Sequence, residues 1–344
     1  MMRRLIAAGT VFALVGGALS GCGGDEDAAA KDLPPVTVAF GGDVNFEGGL
    51  RDRLADPASA LGPISQWLGA ADLSVVNLET AVTEGGTPAA KQFTFRSPAT
   101  AFDALKGAGV DVASMANNHG MDYGAEGLRD SLAAAKEKGF PVVGVGENAD
   151  AAFKPYVAEV KGTRIAVFGT TQVLDDELAS AWTATDAQAG LASAKDPARL
   201  VAAVKKAKDE YDTVIVKVHW GVEKQSCPSA DQKTLADQLV EAGADAVVGS
   251  HAHVLQAGGF HPKQKGKYIH YGLGNFVFYS FTPGTPTSQS GVLVLTFKGH
   301  EVQKADWAPA VLESPGLPRP LTGTEAQSAY TGWTALNGCA GLDQ

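Results

Sequence analysis

The stretch Gly249-Ser250-His251-Ala252-His253-Val254-Leu255-Gln256 places two of the chain's seven histidines two residues apart, directly after an apolar run. In an extended segment residues i and i+2 face the same side. Two imidazoles so placed can aim nitrogen lone pairs at one point, as a transition-metal ion requires of its ligands. A bare His-x-His also arises in loops without any ligand role, so the chemistry depends on partners elsewhere. Donors of the right kind recur in Gly41-Gly42-Asp43-Val44-Asn45, Asn77-Leu78-Glu79, Asn117-Asn118-His119 and His219-Trp220-Gly221. Together they supply Asp43, Glu79, Asn118, His119, His219, His251 and His253, and no cysteine. A mixed carboxylate, amide and imidazole set suits Mn, Fe or Zn in a hydrolytic role rather than a Cys-rich structural zinc site. His261, His270 and His300 lack such neighbours and read as structural.

The elements that must position these residues are short apolar runs alternating with helices. The runs predict strands at Val36–Phe40, Leu73–Val76, Val112–Met115, Pro141–Val145, Arg164–Phe168, Thr213–Val218, Ala246–Val248, Tyr268–Tyr271 and Gly291–Phe297. Most are apolar on both faces, the pattern of a buried, largely parallel or mixed sheet in an α/β fold. Helices are marked by their ends. Asp196-Pro197 reads as an N-cap and first helical residue ahead of a helix to about Glu210. The stripe Leu235, Leu239, Val240 stops at Gly243, where a left-handed cap is wanted, and Gly124 to Lys138 is a third helix. Five strands then end in ligand-type residues. In open α/β sheets that carboxyl edge is where ligands bind, so the clusters are expected to converge.

Of the 344 residues, 45% are hydrophobic and 19% charged, an ordinary balance for a globular chain. The formal charge of -10 argues against nucleic acid as a partner and against electrostatic adhesion to anionic lipid. Residues 1–21 read as a leader: Met1-Met2-Arg3-Arg4 is basic, and the apolar run from Leu5 to Leu19 is shorter than the roughly 20 residues that span a bilayer. The tetrapeptide Leu19-Ser20-Gly21-Cys22 resembles the lipobox of bacterial lipoproteins, which implies a lipidated Cys22 and an extracytoplasmic chain anchored to the membrane. Residues 22–34 read as a flexible tether. Cys227 and Cys339 then remain as a pair that an oxidising compartment could join, provided the fold brings them together. The main domain is expected over residues 35–300. Residues 301–344 are expected to be a loop-rich extension packed on it, with the proline-rich segment 308–323 as loop.

The ordered series GDVNFEG, NLETAV, NNHGMDYG, KVHWGVE, GSHAHVLQ and GLGNF, spanning roughly Val36 to Phe297, looks like the bacterial capsule-synthesis (CapA, poly-γ-glutamate synthesis) family. That family is a branch of the calcineurin-like metallophosphoesterase superfamily. The resemblance implies a four-layer α/β/β/α sandwich, two mixed sheets flanked by helices, with two divalent ions at the strand ends. Carried over by position, Asp43 matches the first aspartate of a D-x-H motif and Glu79 stands where a bridging carboxylate belongs. Asn118 would be a ligand, and His119 the general acid or transition-state stabiliser. His219 and His251 would hold the second metal and His253 the first. Asn275 falls in a family motif with no role assigned to it. Asn45 stands where the motif has histidine, and Glu79 where it has aspartate; the carbonyl of Asn45 is a weaker ligand than imidazole.

Two functions from different classes follow. One is a metal-dependent hydrolase that cleaves a phosphoester, or a related bond in a cell-envelope polymer precursor, through metal-activated water. The other is a non-catalytic assembly, export or binding factor for an anionic surface polymer such as poly-γ-glutamate, working with membrane partners of polymer synthesis. The loop holding Lys91, Phe93, Phe95 and Arg96 reads as an ordinary solvated hairpin in preference to a grip on an anionic ligand.

Overall fold

Six strands carry the donor clusters or their immediate supports: β1 (Val36–Val44), β2 (Leu73–Leu78), β3 (Val112–Ser114), β4 (Thr213–His219), β5 (Ala246–Ser250) and β6 (Asn275–Val277). The structure, a computed structural model, describes residues 33–344; the leader, Cys22 and most of the tether lie outside the described residues. The first sheet runs Leu317–Pro320, Glu301–Glu313, Gln289–Lys298, β1, β2, β3, Val142–Val143, and β6 pairs β1 at its far end. The second runs Gly258–Phe260, Tyr268–His270, β5, β4, Thr163–Thr171, Tyr156–Val160. Both are mixed: the first is antiparallel from Leu317–Pro320 to β1 and parallel from β1 to Val142–Val143, and the second has a parallel centre with antiparallel flanks.

The sheets face each other across a shared core that includes Val36, Val38, Phe40, Val75, Ile215 and Val248. Helices α1 (Thr100–Gly107) and α2 (Gly124–Lys138) cover the outer face of the first sheet through Phe102, Leu105 and Leu128. Helices α3 (Ala198–Glu210) and α4 (Ala230–Ala242) cover the second through Leu200, Val204, Leu235 and Leu239. The result is the expected four-layer α/β/β/α sandwich. Burial on both faces is why these strands read as continuous apolar runs.

The side-chain period of two decides what enters the layer between the sheets. On β4, Ile215 lies on the inner face, so Lys217 and His219 follow it inward, while Val216 and Val218 face the helices. On β1 the same rule would turn Asp43 away. A bulge prevents this: from Phe40↔Val75 to Asp43↔Asn77, β1 advances three residues while β2 advances two. The extra residue re-aims Asp43 to the side of Asn77 and leaves Val44 facing the helices. Gly42 allows it, since a Cβ there would lie 2.0 Å from the Gly274 carbonyl.

Several boundaries differ from the sequence reading. The run Pro141–Val145 is broken into Val142–Val143 and Val145–Gly146 by Gly144, whose φ is +81°. Helix α3 starts one residue late: Pro197 is the cap, and Asp196 accepts from the Ala198 N–H (3.0 Å). The largest correction is at the C-terminus. Residues 301–344 are not loop-rich: Glu301–Glu313 is a 13-residue strand, Leu317–Pro320 its edge partner, and α5 (Gly323–Thr334) follows. The prolines misled because edge strands tolerate them, as at Pro318 and Pro320. Cys227 and Cys339 are joined, which closes the C-terminal end onto the loop ahead of α4. Among the described residues, no helix is long and apolar enough to cross a membrane.

Candidate metal centre

The carboxyl ends of β1, β2, β4 and β5 meet, and two donor sets form there: Glu79, His251 and His253, and Asp43, Glu79 and His219. Within each set the ligand atoms lie within 4.8 Å of one another, and Glu79 belongs to both. Glu79 Oε1 is buried and has no hydrogen-bond partner. Three imidazole nitrogens surround it: His253 Nε2 at 3.7 Å, His219 Nε2 at 3.8 Å and His119 Nε2 at 3.9 Å. These gaps are too long for hydrogen bonds. For His253 and His219 they are short enough for oxygen and nitrogen to share an ion at about 2.1 Å from each, while His119 belongs to neither donor set. His251 Nδ1 is likewise buried without a partner. An orphaned carboxylate oxygen and an orphaned imidazole nitrogen, in a set of hard and borderline donors, fit a divalent ion. Asp43, Glu79, His219, His251 and His253 would hold it.

The route to this geometry differs from the expected one at its starting point. His251 and His253 are not in an extended segment; β5 ends at Ser250, and both histidines lie in a turn with positive φ, +94° and +54°. They still converge, with ring centroids 5.8 Å apart. Asn118 approaches through its amide oxygen, 2.8 Å from His219 Nε2. Asn45 is engaged elsewhere through its oxygen. Its amide oxygen faces the Glu47 N–H at 3.4 Å and its Nδ2 is buried without a partner. His261 pairs with Asp237 and His300 with Asp245, away from the centre. His270 is fully buried against Trp333.

Residues that the sequence reading left without a role support the donors. Asn77 donates to Asp43 Oδ1 (2.9 Å) and lies 3.2 Å from His219 Nδ1. Asn117 donates to Asn77 Oδ1 (3.1 Å) and to the Leu78 carbonyl (2.9 Å). The Asn275 amide oxygen is 2.9 Å from His253 Nδ1. Asp122 accepts from His119 Nδ1–H (2.6 Å) and from the Phe95 N–H (2.6 Å), and pairs with Lys91 at 3.1 Å. The Lys91 loop is therefore not a solvated hairpin. Lys91 is packed against Trp182 and reaches the Asn118 carbonyl, while Phe95 stacks on His119 with centroids 4.0 Å apart. Asn77 and Lys217 could have been found by stepping back two residues from Glu79 and His219. Asp122 and Asn275 act across turns and long separations, where spacing carries no signal.

Burial dominates the electrostatics. It holds His219 far below its ordinary value and His251 at about 3, so both present neutral lone pairs. Burial, and then the charge of Asp43, pushes the Glu79 carboxyl well up. Burial also pushes Asp43 up, but His253, Lys217 and the His251 N–H together outweigh it and hold Asp43 below its ordinary value. Burial lowers the Lys217 ammonium to about 8 against the pull of the two carboxylates. His253 is the exception: burial opposes its charge, yet Glu79 and Asp43 raise it to about 9. A metal must displace that proton, so uptake should release acid.

The same shift predicts a pH dependence for the metal-free protein. A histidine raised from 6.5 to about 9 contributes stability that is complete below pH 6.5 and is lost as the pH rises through about 9. In excess chelator, the melting temperature followed by circular dichroism should fall over that interval. His253→Gln should flatten the slope; an unchanged slope in the variant would show that another group carries it.

The family described as "Bacterial capsule synthesis protein PGA_cap" matches residues 37–280. The "Capsule biosynthesis protein CapA" of Bacillus anthracis is 38% identical over 223 residues, 64% of this chain and 52% of that one. The "PGA biosynthesis protein CapA" of Bacillus subtilis (strain 168) is 34% identical over 212 residues, 61% of this chain and 54% of that one. The chain thus spans about half the length of these curated relatives. A solved structure described as a novel phosphatase, from Mycoplasma pneumoniae, aligns with TM-score 0.48 and 17% identity over 81% of this chain and 94% of that one.

Proposed function

The chain belongs to the bacterial capsule synthesis protein family, and from that premise we propose that it is a metal-dependent hydrolase of cell-envelope polymer synthesis, acting on a phosphoester or related bond. The observation that carries the reading is the orphaned Glu79 Oε1 with the imidazole nitrogens of His253 and His219 at 3.7 and 3.8 Å. A divalent ion bound there supplies Lewis acidity toward a substrate oxygen and acidifies water. The protein's own part is to hold the donors and manage a proton. Asn77 and Asn275 fix the orientation of Asp43 and His253. Asp122 fixes His119 with its proton on Nδ1 and turns Nε2 toward Glu79. Nε2 can then take the proton that the attacking water gives up and pass it to the leaving oxygen. Phe95, Phe278 and Tyr279 wall one side and limit water.

Lipid anchoring through Cys22, an extracytoplasmic location, and an anionic polymer such as poly-γ-glutamate as substrate or product belong to the same proposal. The names of the Bacillus relatives support the polymer. The test is metal analysis of the purified protein together with turnover of a chromogenic phosphodiester and a γ-glutamyl peptide. Asp43→Ala and His251→Ala should each abolish metal uptake and turnover together. Retained turnover in both variants would sink the hydrolase reading; bound metal with no turnover on any ester would favour a polymer-binding role.

A further inference from the structure

The turn His251-Ala252-His253 adopts a conformation that side chains bearing a Cβ disfavour, with φ of +94° and +54° at the two histidines. Such backbone persists only where the surroundings over-determine it. One restraint comes from the metal centre itself, the His251 N–H donating to Asp43 Oδ2 (3.1 Å). The others come from outside it. The Lys224 N–H donates to the Ala252 carbonyl (2.7 Å), so the loop 221–228 grips the turn at its middle.

That loop is itself pinned by one side chain and one covalent bond. Gln256, fully buried, donates through Nε2 to the carbonyls of Gln225 (2.8 Å) and Cys227 (3.5 Å). Its Oε1 accepts from Gln232 Nε2 (2.8 Å), and its backbone N–H donates to the Gly272 carbonyl (2.8 Å). Every hydrogen-bonding group of the amide is thereby matched. Cys227 is bonded to Cys339, whose carbonyl accepts from Lys233 Nζ (2.7 Å). Trp333 of α5 donates to the Gln256 carbonyl (3.1 Å). The C-terminal segment, the loop and the histidine turn are thus linked in series.

We propose that Gln256 and the Cys227–Cys339 bridge are positioning elements for the metal centre, holding loop 221–228 so that Lys224 keeps the His251-Ala252-His253 turn in its ligating conformation. This rests on the metal-centre reading above. Gln256→Glu keeps the acceptor for Gln232 but removes the donor and sets a carboxylate beside two carbonyls. C227A/C339A removes the covalent link without leaving thiols that could themselves bind metal.

The test is Mn²⁺ affinity, measured by competition against a chromogenic chelator below the melting temperature of every variant, with circular dichroism recording the fold. Outer-sphere partners of metal ligands typically contribute about 10–100-fold in affinity. Each variant should weaken Mn²⁺ binding by a factor in that range, and the triple variant by less than the product of the two, because both act through one loop. A purely structural role would lower the melting temperature and leave the affinity alone. If C227A/C339A does not fold, Gln256→Glu decides. Wild-type affinity in a folded Gln256→Glu variant overturns the positioning role while the metal centre stands. A wild-type protein that takes up none of Mn²⁺, Fe²⁺ and Zn²⁺ overturns the metal centre, and the positioning role with it; if it takes up only Fe²⁺ or Zn²⁺, the variants are compared with that ion.

Discussion

Replacing Glu79 by glutamine is expected to abolish metal uptake and, in the same variant, to raise the melting temperature of the metal-free protein. The first effect follows from geometry: Glu79 is shared by both donor sets, so its removal leaves one set with no carboxylate and the other with Asp43 alone. The loss of affinity should exceed the roughly 10–100-fold that outer-sphere partners contribute. The second effect follows from burial. A carboxyl held well above its ordinary value resists ionisation in the folded state, chiefly through desolvation and then through the charge of Asp43. At pH 8 the ionised form therefore costs stability that an isosteric amide does not. The gain should be present at pH 8 in excess chelator and vanish as the pH falls below the ordinary carboxyl value of 4.5, where both states become protonated. Metal analysis and chelated thermal melts check the two halves separately. A variant that is less stable than wild type at pH 8 would mean that the attraction of Glu79 for His253 outweighs its desolvation.

The instability is the counterpart of the function. Asp43, Glu79 and Lys217 are all buried beside an apolar core shared by the two sheets. Such a group of charges forms only because the rest of the layer fixes it, and the proposed cation would complete it. The bulge on β1 and the strained histidine turn serve the same end, each departing from the regular strand period to turn a ligand inward.

How much of this was legible depends on the kind of signal. The strands were, because burial on both faces writes an unbroken apolar run, and so were α2 and α4, whose ends carry left-handed glycines at Gly139 and Gly243. The convergence of Asp43, Glu79, His219, His251 and His253 was legible from their shared place at strand ends. The reason given for His251 and His253 was not the one the fold uses: an i, i+2 argument assumes extension, and tertiary restraints had replaced extension with a turn. Asp43 was a similar case, since nothing in Gly41-Gly42 distinguishes a bulge from a tight turn. The strand Glu301–Glu313 was hidden by charge and by Pro309, because a strand exposed on one side needs few apolar residues and its partner supplies the register. Asp122 and Gln256 were invisible for a further reason: each is polar, buried and defined only by what it joins.

Asp122 gives the second large effect. It is fully buried and joins three elements, accepting from His119 Nδ1–H and the Phe95 N–H at 2.6 Å each and pairing with Lys91 at 3.1 Å. An amide of the same shape cannot serve all three: both N–H groups meet Oδ2 and Lys91 meets Oδ1, so either the NH2 faces the ammonium, or the amide turns its oxygen to Lys91 and its NH2 onto both N–H donors, the orientation the charge favours. Asp122→Asn should therefore free His119 to rotate or to place its proton on Nε2. The proposed hydrolytic turnover should fall about 10²–10⁴-fold, the usual contribution of a positioned proton carrier. Mn²⁺ content should stay at the wild-type level, because Asp122 is in neither donor set. Stability should drop by about 3 kcal/mol, the lower end for a broken buried pair, since Asp175 remains 3.6 Å from Lys91. The discriminating comparison is with His119→Gln. If Asp122 acts only by orienting His119, the double variant turns over no more slowly than His119→Gln alone, since residues acting as a unit are not additive. A double variant slower than His119→Gln by the full factor of Asp122→Asn would give Asp122 a role of its own.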